Sequence, residues 1–157
     1  MLTRLCLSLF ALLQIVMPPA LADPMAVEVL KVISGDSEHI FTVEVADDAE
    51  EISYGLMDRD SLDADKGMLF EFTSPRIPSM YMKNTLISLD MLFINSEGGI
   101  EMVARNTVPG SLRTISPPVA VKAVLEINGG LAATLGIEPG DRVEHPLFGG
   151  PDTDAAE

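Results

Sequence analysis

The chain has 157 residues, and its 24 acidic side chains outnumber the 10 basic ones, giving a formal net charge of −14 at pH 7. A surface of this sign repels nucleic acid and anionic lipid, so we expect neither as a partner. The single cysteine and two histidines exclude a disulfide framework and a multi-histidine zinc site. We therefore expect no metal and no other cofactor.

The first predicted element is a secretory signal peptide over residues 1–22. Arg4 precedes an apolar run over residues 5–17, and a small-residue cleavage pattern ends at Ala22. The run is too short for a transmembrane span, which needs about 20 apolar residues, and no later segment reaches that length. We expect an exported protein, periplasmic or extracellular, that is not inserted in the membrane; a retained N-terminal anchor is the alternative.

Residues 23–148 are predicted to form one β-rich domain, because apolar and polar residues alternate along most of this range. Two short helices are predicted, over 49–57 and 131–135. The expected fold is a compact β-barrel or jelly-roll-like sandwich of about eight short strands. Residues 149–157 are predicted to be a disordered acidic tail. The predicted strands are 27–33, 41–45, 67–72, 80–83, 89–94, 100–103, 121–127 and 142–145.

Polar side chains interrupt segments that otherwise have the pattern of buried strands. Buried polar groups either satisfy one another or line a site. In the first case Lys83 would form an ion pair with Asp90 or Glu126; in the second these groups would hold a small polar ligand. Arg59 follows a predicted helix and could also pair with an aspartate nearby. The candidate ligand-binding residues are Lys83, Asn84, Asp90, Glu126, Arg59 and Tyr81.

A series of short motifs runs along the domain in a fixed order. They are Gly55-Leu56-Met57 with Arg59, Gly67-Met68-Leu69-Phe70, Met82-Lys83-Asn84-Thr85, Leu89-Asp90-Met91-Leu92-Phe93, Leu125-Glu126 and Gly140-Asp141. This series resembles the domain-of-unknown-function family 192, small bacterial and archaeal proteins that are often exported.

The resemblance covers residues 41–143 and implies a compact β-rich fold of barrel or jelly-roll type. It implies no established activity, so no catalytic residue follows from it. One departure is visible: where the family usually has Phe-Trp before Met-Lys-Asn-Thr, this chain has Met80-Tyr81. If that tryptophan stacks on a ligand, Tyr81 is a weaker substitute.

Other chemistry-bearing residues have simpler explanations. His39 and His145 are expected to be exposed loop or strand-end residues rather than catalytic bases. Ser79 and Ser88 lie near Lys83 in sequence, but no nucleophile-elbow pattern surrounds either serine. The numerous methionines are expected to fill the core, although thioether sulfur can also bind Cu(I).

These observations predict an exported, monomeric, non-enzymatic β domain that binds a small polar ligand or a partner protein around Lys83, Asn84 and Asp90. One alternative is an enzyme in which Asp90 and Glu126 act as acid and base on a small polar substrate such as a glycan. Another alternative is copper binding through methionine.

Overall fold

The structure, a computed structural model, describes residues 25–149. The predicted signal peptide over 1–22 and the predicted tail beyond Gly149 lie outside the described residues. Between residues 25 and 149, no helix combines the length and the apolar character needed to cross a membrane.

The described residues form one curled, seven-stranded sheet with two short α-helices, which confirms the predicted mainly β fold. The strand order is β5-β4-β6-β3-β2-β1-β7, and β2 and β3 are the one parallel pair in this sheet. A single 3-10 turn, Pro146–Phe148, follows the last strand. The elements are β1 Ala26–Ser34, β2 Ser37–Ala46, α1 Ala49–Tyr54, β3 Lys66–Arg76, β4 Leu89–Ile94, β5 Ile100–Ala104, β6 Val121–Asn128, α2 Leu131–Leu135 and β7 Arg142–Glu144.

The two edge strands of the sheet meet at one end. Gly99, just before β5, forms an antiparallel bridge with Arg142 of β7. The Val143 amide donates to the Gly98 carbonyl at 2.7 Å. Gly98 adopts φ +85°, and a Cβ there would lie 2.4 Å from the Val143 carbonyl oxygen, so this closure requires glycine. These contacts join the two edges of the curled sheet at this end.

The eighth predicted strand, over 80–83, is a loop that pairs with another loop. Met80 and Ile115 exchange two backbone hydrogen bonds of 2.9 Å, and no ladder extends from them within the described chain. Pro75 and Pro78 precede this segment, and proline cannot donate to a ladder. The loops over 77–88 and 105–120 therefore lie together over the sheet.

Both faces of the sheet are buried, and the two cores use alternate residues of the same strands. All seven strands contribute to the inner core, which includes Leu69 of β3 and Leu125 of β6. The outer core lies on β3, β4 and β6 under α1 and the loops. Met68, Phe70 and Phe72 all face the outer core, as their period-two spacing predicts. The outer core positions the candidate site.

Candidate functional site

A cleft of about 310 Å³ opens into the outer core. The end of α1 and the turn after it form one wall, Arg76 at the end of β3 and the loop over 77–81 form another, and β3 and β6 supply the floor. The lining residues used below are Ile52, Tyr54, Gly55, Met57, Phe70, Arg76, Ser79, Met80, Tyr81, Thr85 and Glu126.

The wall at the end of α1 depends on a glycine. Gly55 adopts φ +53° and ends the helix at Tyr54, earlier than the predicted limit at Met57. A Cβ on Gly55 would lie 3.0 Å from the Phe70 ring, so glycine lets the helix end pack directly on the floor. The following Leu56 is buried in the outer core and fixes the turn.

Glu126 lies at the floor of the cleft without a partner. It is paired in register with Met68 of β3 and Met91 of β4, so its side chain lies between two buried thioether side chains. The residue is 4% exposed. No hydrogen bond or ion pair to its carboxyl group occurs among residues 25–149. Burial raises the pKa of Glu126 to about 8, so the group is mostly neutral at pH 7.

Asp90 is the opposite case, a buried carboxylate with three backbone donors. Its Oδ1 accepts hydrogen bonds from the Asn106 amide at 2.7 Å and the Gly130 amide at 3.0 Å. Its Oδ2 accepts one from the Ala132 amide at 2.8 Å. Gly130 is the N-cap of α2, and Ala132 lies in its first turn. The hydrogen bonds to Asp90 therefore hold α2 and the 105–120 loop against β4.

The two carboxyl groups lie on opposite faces of the sheet. In the β4–β6 ladder, Asp90 pairs with Ile127 and Met91 pairs with Glu126. Neighbouring positions of a strand point to opposite faces, and Ile127 belongs to the inner core. The acid–base pair suggested from the sequence is therefore not formed.

Lys83 and Asn84 lie in an exposed turn away from both carboxyl groups. Asn84 adopts φ +53°, and its carbonyl accepts a 2.9 Å hydrogen bond from the Asp58 amide. None of the ion pairs found among residues 25–149 includes Lys83, so the predicted network with Asp90 or Glu126 is absent. Lys83 and Asn84 instead border a second, more open cleft of about 560 Å³ beside Leu112.

Arg59 pairs with β2 rather than with the aspartates near it in sequence. Its two Nη atoms lie 2.5 and 2.6 Å from the two carboxylate oxygens of Glu44. The hydrogen bonds from Arg59 lower the pKa of Glu44.

Tyr81 lines the cleft at 42% exposure. Of the six candidate residues, the structure brings Glu126 and Tyr81 to the same cleft.

Tyr54 and Arg76 are among the cleft residues that the sequence analysis does not select. Tyr54 donates a 3.0 Å hydrogen bond from its hydroxyl to Asp58, which raises the pKa of the phenol. Arg76 lies with its guanidinium carbon 4.0 Å from the Phe72 ring centroid. Tyr54 directly precedes the Gly55-Leu56-Met57 motif. This position beside the motif is the one sequence signal that indicates Tyr54 as a site residue.

The methionines behave mainly as core residues. Met68, Met82 and Met91 are buried in the outer core, as expected, while Met57 and Met80 line the cleft. In the described part of the chain, no three histidine, cysteine or acidic side chains come together where a metal ion could bind. Copper binding through thioethers stays a hypothesis.

His145 follows a strand, as predicted, but it is buried rather than exposed. Its Nε2 lies 2.7 Å from a Glu28 carboxylate oxygen, and its Nδ1 accepts from the Leu147 amide at 3.3 Å. His145 thus links the last turn to β1 and lies outside the cleft lining.

Comparisons with known proteins agree with the motif series. The model of DUF192, described as an uncharacterised ACR, matches residues 30–145. No curated protein matches the chain.

Two solved structures are similar to this one over most of the chain. A protein from Sinorhizobium meliloti 1021, described as a "putative transcription regulator", is 41% identical with a TM-score of 0.78, over 80% of this chain and 98% of its own. A protein of unknown function from Novosphingobium aromaticivorans DSM 12444 is 38% identical with a TM-score of 0.74, over 76% of this chain and 85% of its own. The chain belongs to the DUF192 family.

Proposed function

We propose that this protein binds a small organic molecule in the cleft floored by Glu126. The observation that carries the proposal is a carboxyl group, 4% exposed, that faces the cleft without a hydrogen-bond partner among the described residues. Burying such a group costs free energy unless something satisfies it. Asp90, whose role is structural, has three donors in the same sheet. Glu126 lacks that support, and a ligand would supply it.

The cleft has the size and lining of a small-molecule site. Its volume of about 310 Å³ is at the lower end of the ~300–1,000 Å³ typical of such sites. Phe70, Met57 and Met80 give apolar contact, and Thr85 and Glu126 add polar groups. A few polar groups among apolar walls orient a ligand, which is the common arrangement in binding pockets.

Catalysis on a glycan is less well supported. Glycoside hydrolysis uses two carboxyl groups that face one substrate, about 5–10 Å apart. Among the described residues that line the cleft, Glu126 is the one acid. We therefore propose a binding role rather than an enzymatic one.

A role in direct DNA contact is also poorly supported, although the Sinorhizobium relative is described as a regulator. A net charge of −14 opposes approach to a phosphate backbone. The predicted signal peptide would in addition place the cleft outside the cytoplasm, where a ligand would come from the periplasm or the medium.

Amide chemical shifts of the purified protein, recorded with mixtures of small organic molecules, test the proposal. Binders are expected to shift the amides of Gly55, Tyr81 and Thr85, which surround the cleft. Ser79→Trp, at an exposed position in the lining, should block these shifts. Ser96→Trp in the exposed β4–β5 turn is the matched control and should leave them intact. Shifts that survive Ser79→Trp, or the absence of binders, would contradict a ligand site here.

A further inference from the structure

The unpartnered carboxyl group at the cleft floor also indicates a class of ligand. We propose that the cleft takes a primary amine carried on a compact apolar body, with the ammonium group seated against the Glu126 carboxylate. This inference rests on the proposed function and adds the chemistry of the ligand to it.

An ammonium group supplies what Glu126 lacks. It offers three N–H donors and a positive charge, and a charged hydrogen bond is the strongest match for a carboxylate in an apolar surrounding. Binding an amine would therefore satisfy the buried group and stabilise its ionised form. The methionines on either side, Met68 and Met91, contribute weak sulfur acceptors and no competing donor.

The cations of the protein near Glu126 are already engaged. Lys122 lies four positions earlier on the same strand, and its ammonium donates to the Phe72 carbonyl at 2.5 Å and to Glu71 at 3.2 Å. Arg59, beyond the end of α1, holds Glu44. Arg59 and Lys122 therefore have acidic or carbonyl partners other than Glu126, and a cation that pairs with Glu126 would be supplied by the ligand.

Arg76 is the one cationic residue among the described lining residues, and its charge lies to one side of the cleft. Its guanidinium packs on the Phe72 ring, 4.0 Å from the centroid. Phe72 lines a neighbouring cleft with Asp47 and is absent from the lining of the Glu126 cleft. Arg76 is thereby held in a position that leaves the floor free for another cation.

The walls and the overall charge favour an organic cation. Ile52, Met57, Phe70 and Met80 provide apolar contact for its body. Tyr54 and Tyr81 stand at the rim with 53% and 42% exposure, where an aromatic face can attract a cation on entry. The net charge of −14 also raises the concentration of cations near the surface.

The pH dependence of binding separates an amine from a neutral ligand. The register neighbours of Glu126, Met68 and Met91, do not titrate. Beyond Met68 in the same register lies Glu44, which is paired with Arg59. Tyr54, Arg76 and Tyr81 are the other titratable or charged residues among those described as lining the cleft. Tyrosine and arginine keep their charge between pH 6 and 9, so Glu126 is the group in the cleft that changes charge there. A pKa of about 8 means that an ammonium ligand must expel a proton at pH 7. Its affinity should then rise about tenfold between pH 7 and 8.5.

Titrations of the purified protein with matched probes test the inference. The probes are cyclohexylmethylamine and benzylamine, each compared with its alcohol and with cyclohexanecarboxamide. The amines are expected to shift the amides of Gly55, Tyr81 and Thr85, to bind at least tenfold more tightly than the alcohols, and to gain affinity as the pH rises. Glu126→Gln should lose at least tenfold in amine affinity and keep its alcohol affinity, whereas Glu97→Gln, at an exposed turn, should change neither.

The outcomes separate the two proposals. Binding of alcohols or the carboxamide as tightly as amines, or amine affinity that is flat or falling with pH, would overturn the amine assignment and leave the cleft as a binding site. Amine affinity that is unchanged in Glu126→Gln would overturn the amine assignment too, and amine binding that also survives Ser79→Trp would place the amine outside this cleft. If no probe and no member of the mixtures binds, both proposals fail.

Discussion

Two buried carboxyl groups on neighbouring strands have different surroundings in this protein. Asp90 accepts three backbone hydrogen bonds, and Glu126 accepts none within the described chain. The sequence indicates both residues because each interrupts an apolar strand, but it does not distinguish their surroundings. The donors to Asp90 are 16 to 42 positions away along the chain. Only strand pairing shows that the two side chains face opposite sides of the sheet.

Asp90→Ala is expected to lower the free energy of unfolding by about 3 kcal/mol, because it leaves three buried amides without an acceptor. Asp60→Ala, which changes an exposed aspartate, should cost less than about 0.5 kcal/mol. Urea midpoints of the two variants measure the difference. Equal midpoints would show that water or local rearrangement replaces the Asp90 acceptors.

Glu126→Gln is expected to stabilise the protein at pH 8 and to leave stability unchanged at pH 4. The pKa of Glu126 rises from its ordinary 4.5 to about 8 on folding. Below pH 4.5 the carboxyl is protonated in both states, whereas between pH 4.5 and 8 the unfolded chain ionises and the folded protein does not. Stability of the wild type therefore falls across this window, by up to about 5 kcal/mol, and then levels off.

Thermal melts of wild type and Glu126→Gln across pH 4 to 8.5 would show this window. Glu97→Gln, in the exposed turn after β4, should follow the wild-type curve. A Glu126→Gln variant that is less stable than wild type at pH 8 would mean that the ionised carboxylate has a stabilising partner in the folded protein.

At the scale of elements, local signals predicted most helices and strands, and long-range pairing decided the rest. Helix α2 occupies the predicted residues 131–135 because glycines mark both of its ends. The segment 80–83 has alternating apolar residues, and Met82 is indeed buried. Its partner is a loop rather than a strand, and the sequence of 80–83 carries no information about that partner.

The turn after α1 is fastened to β2 by the Arg59–Glu44 pair, whose side chains are each 31% exposed. Arg59→Ala should cost about 1 kcal/mol at pH 7, since solvent screens a pair at this exposure and its bidentate geometry partly compensates. The pair lowers the pKa of Glu44, so its stabilisation is present above the unfolded value of 4.5 and is lost as the pH falls through the folded value.

A double-mutant cycle of Arg59→Ala and Glu44→Gln, measured by urea unfolding at pH 7 and pH 3, gives the coupling energy directly. The coupling should shrink in acid. A coupling of the same size at both pH values would show that packing of the arginine stem, rather than charge, holds the turn.

At the scale of the whole molecule, the mainly β class followed from period-two alternation, and the family followed from the order of its motifs. The strand order could not be predicted from the sequence. It depends on the parallel pairing of β2 with β3 and on the position of β6 between β3 and β4, and both join segments that are distant in the chain. The candidate cleft depends on this order. Glu126 lies on β6, and the residues around it come from α1 and the turn after it, from β3 and from the loop over 77–88.

Export remains a prediction of the sequence. Expression in a bacterial host with an intact secretion pathway should yield a protein that begins at Asp23, because Ala20 and Ala22 fit the small subsites of a signal peptidase. Intact-mass measurement of the recovered protein decides this. A mass that retains residues 1–22 would indicate an uncleaved anchor.

The β-bridge between Gly99 and Arg142 joins the two edges of the sheet, and it forms only after nearly the whole domain has been synthesised. The strand that completes it, Arg142–Glu144, is the last one in the described chain, yet it pairs with the first strand. Until it arrives, the free edges of β1 and β5 are both open to pairing with other chains, which is the usual route to aggregation of β proteins. A nascent or truncated chain lacking the residues from Arg142 onward would therefore be the form most in need of a chaperone.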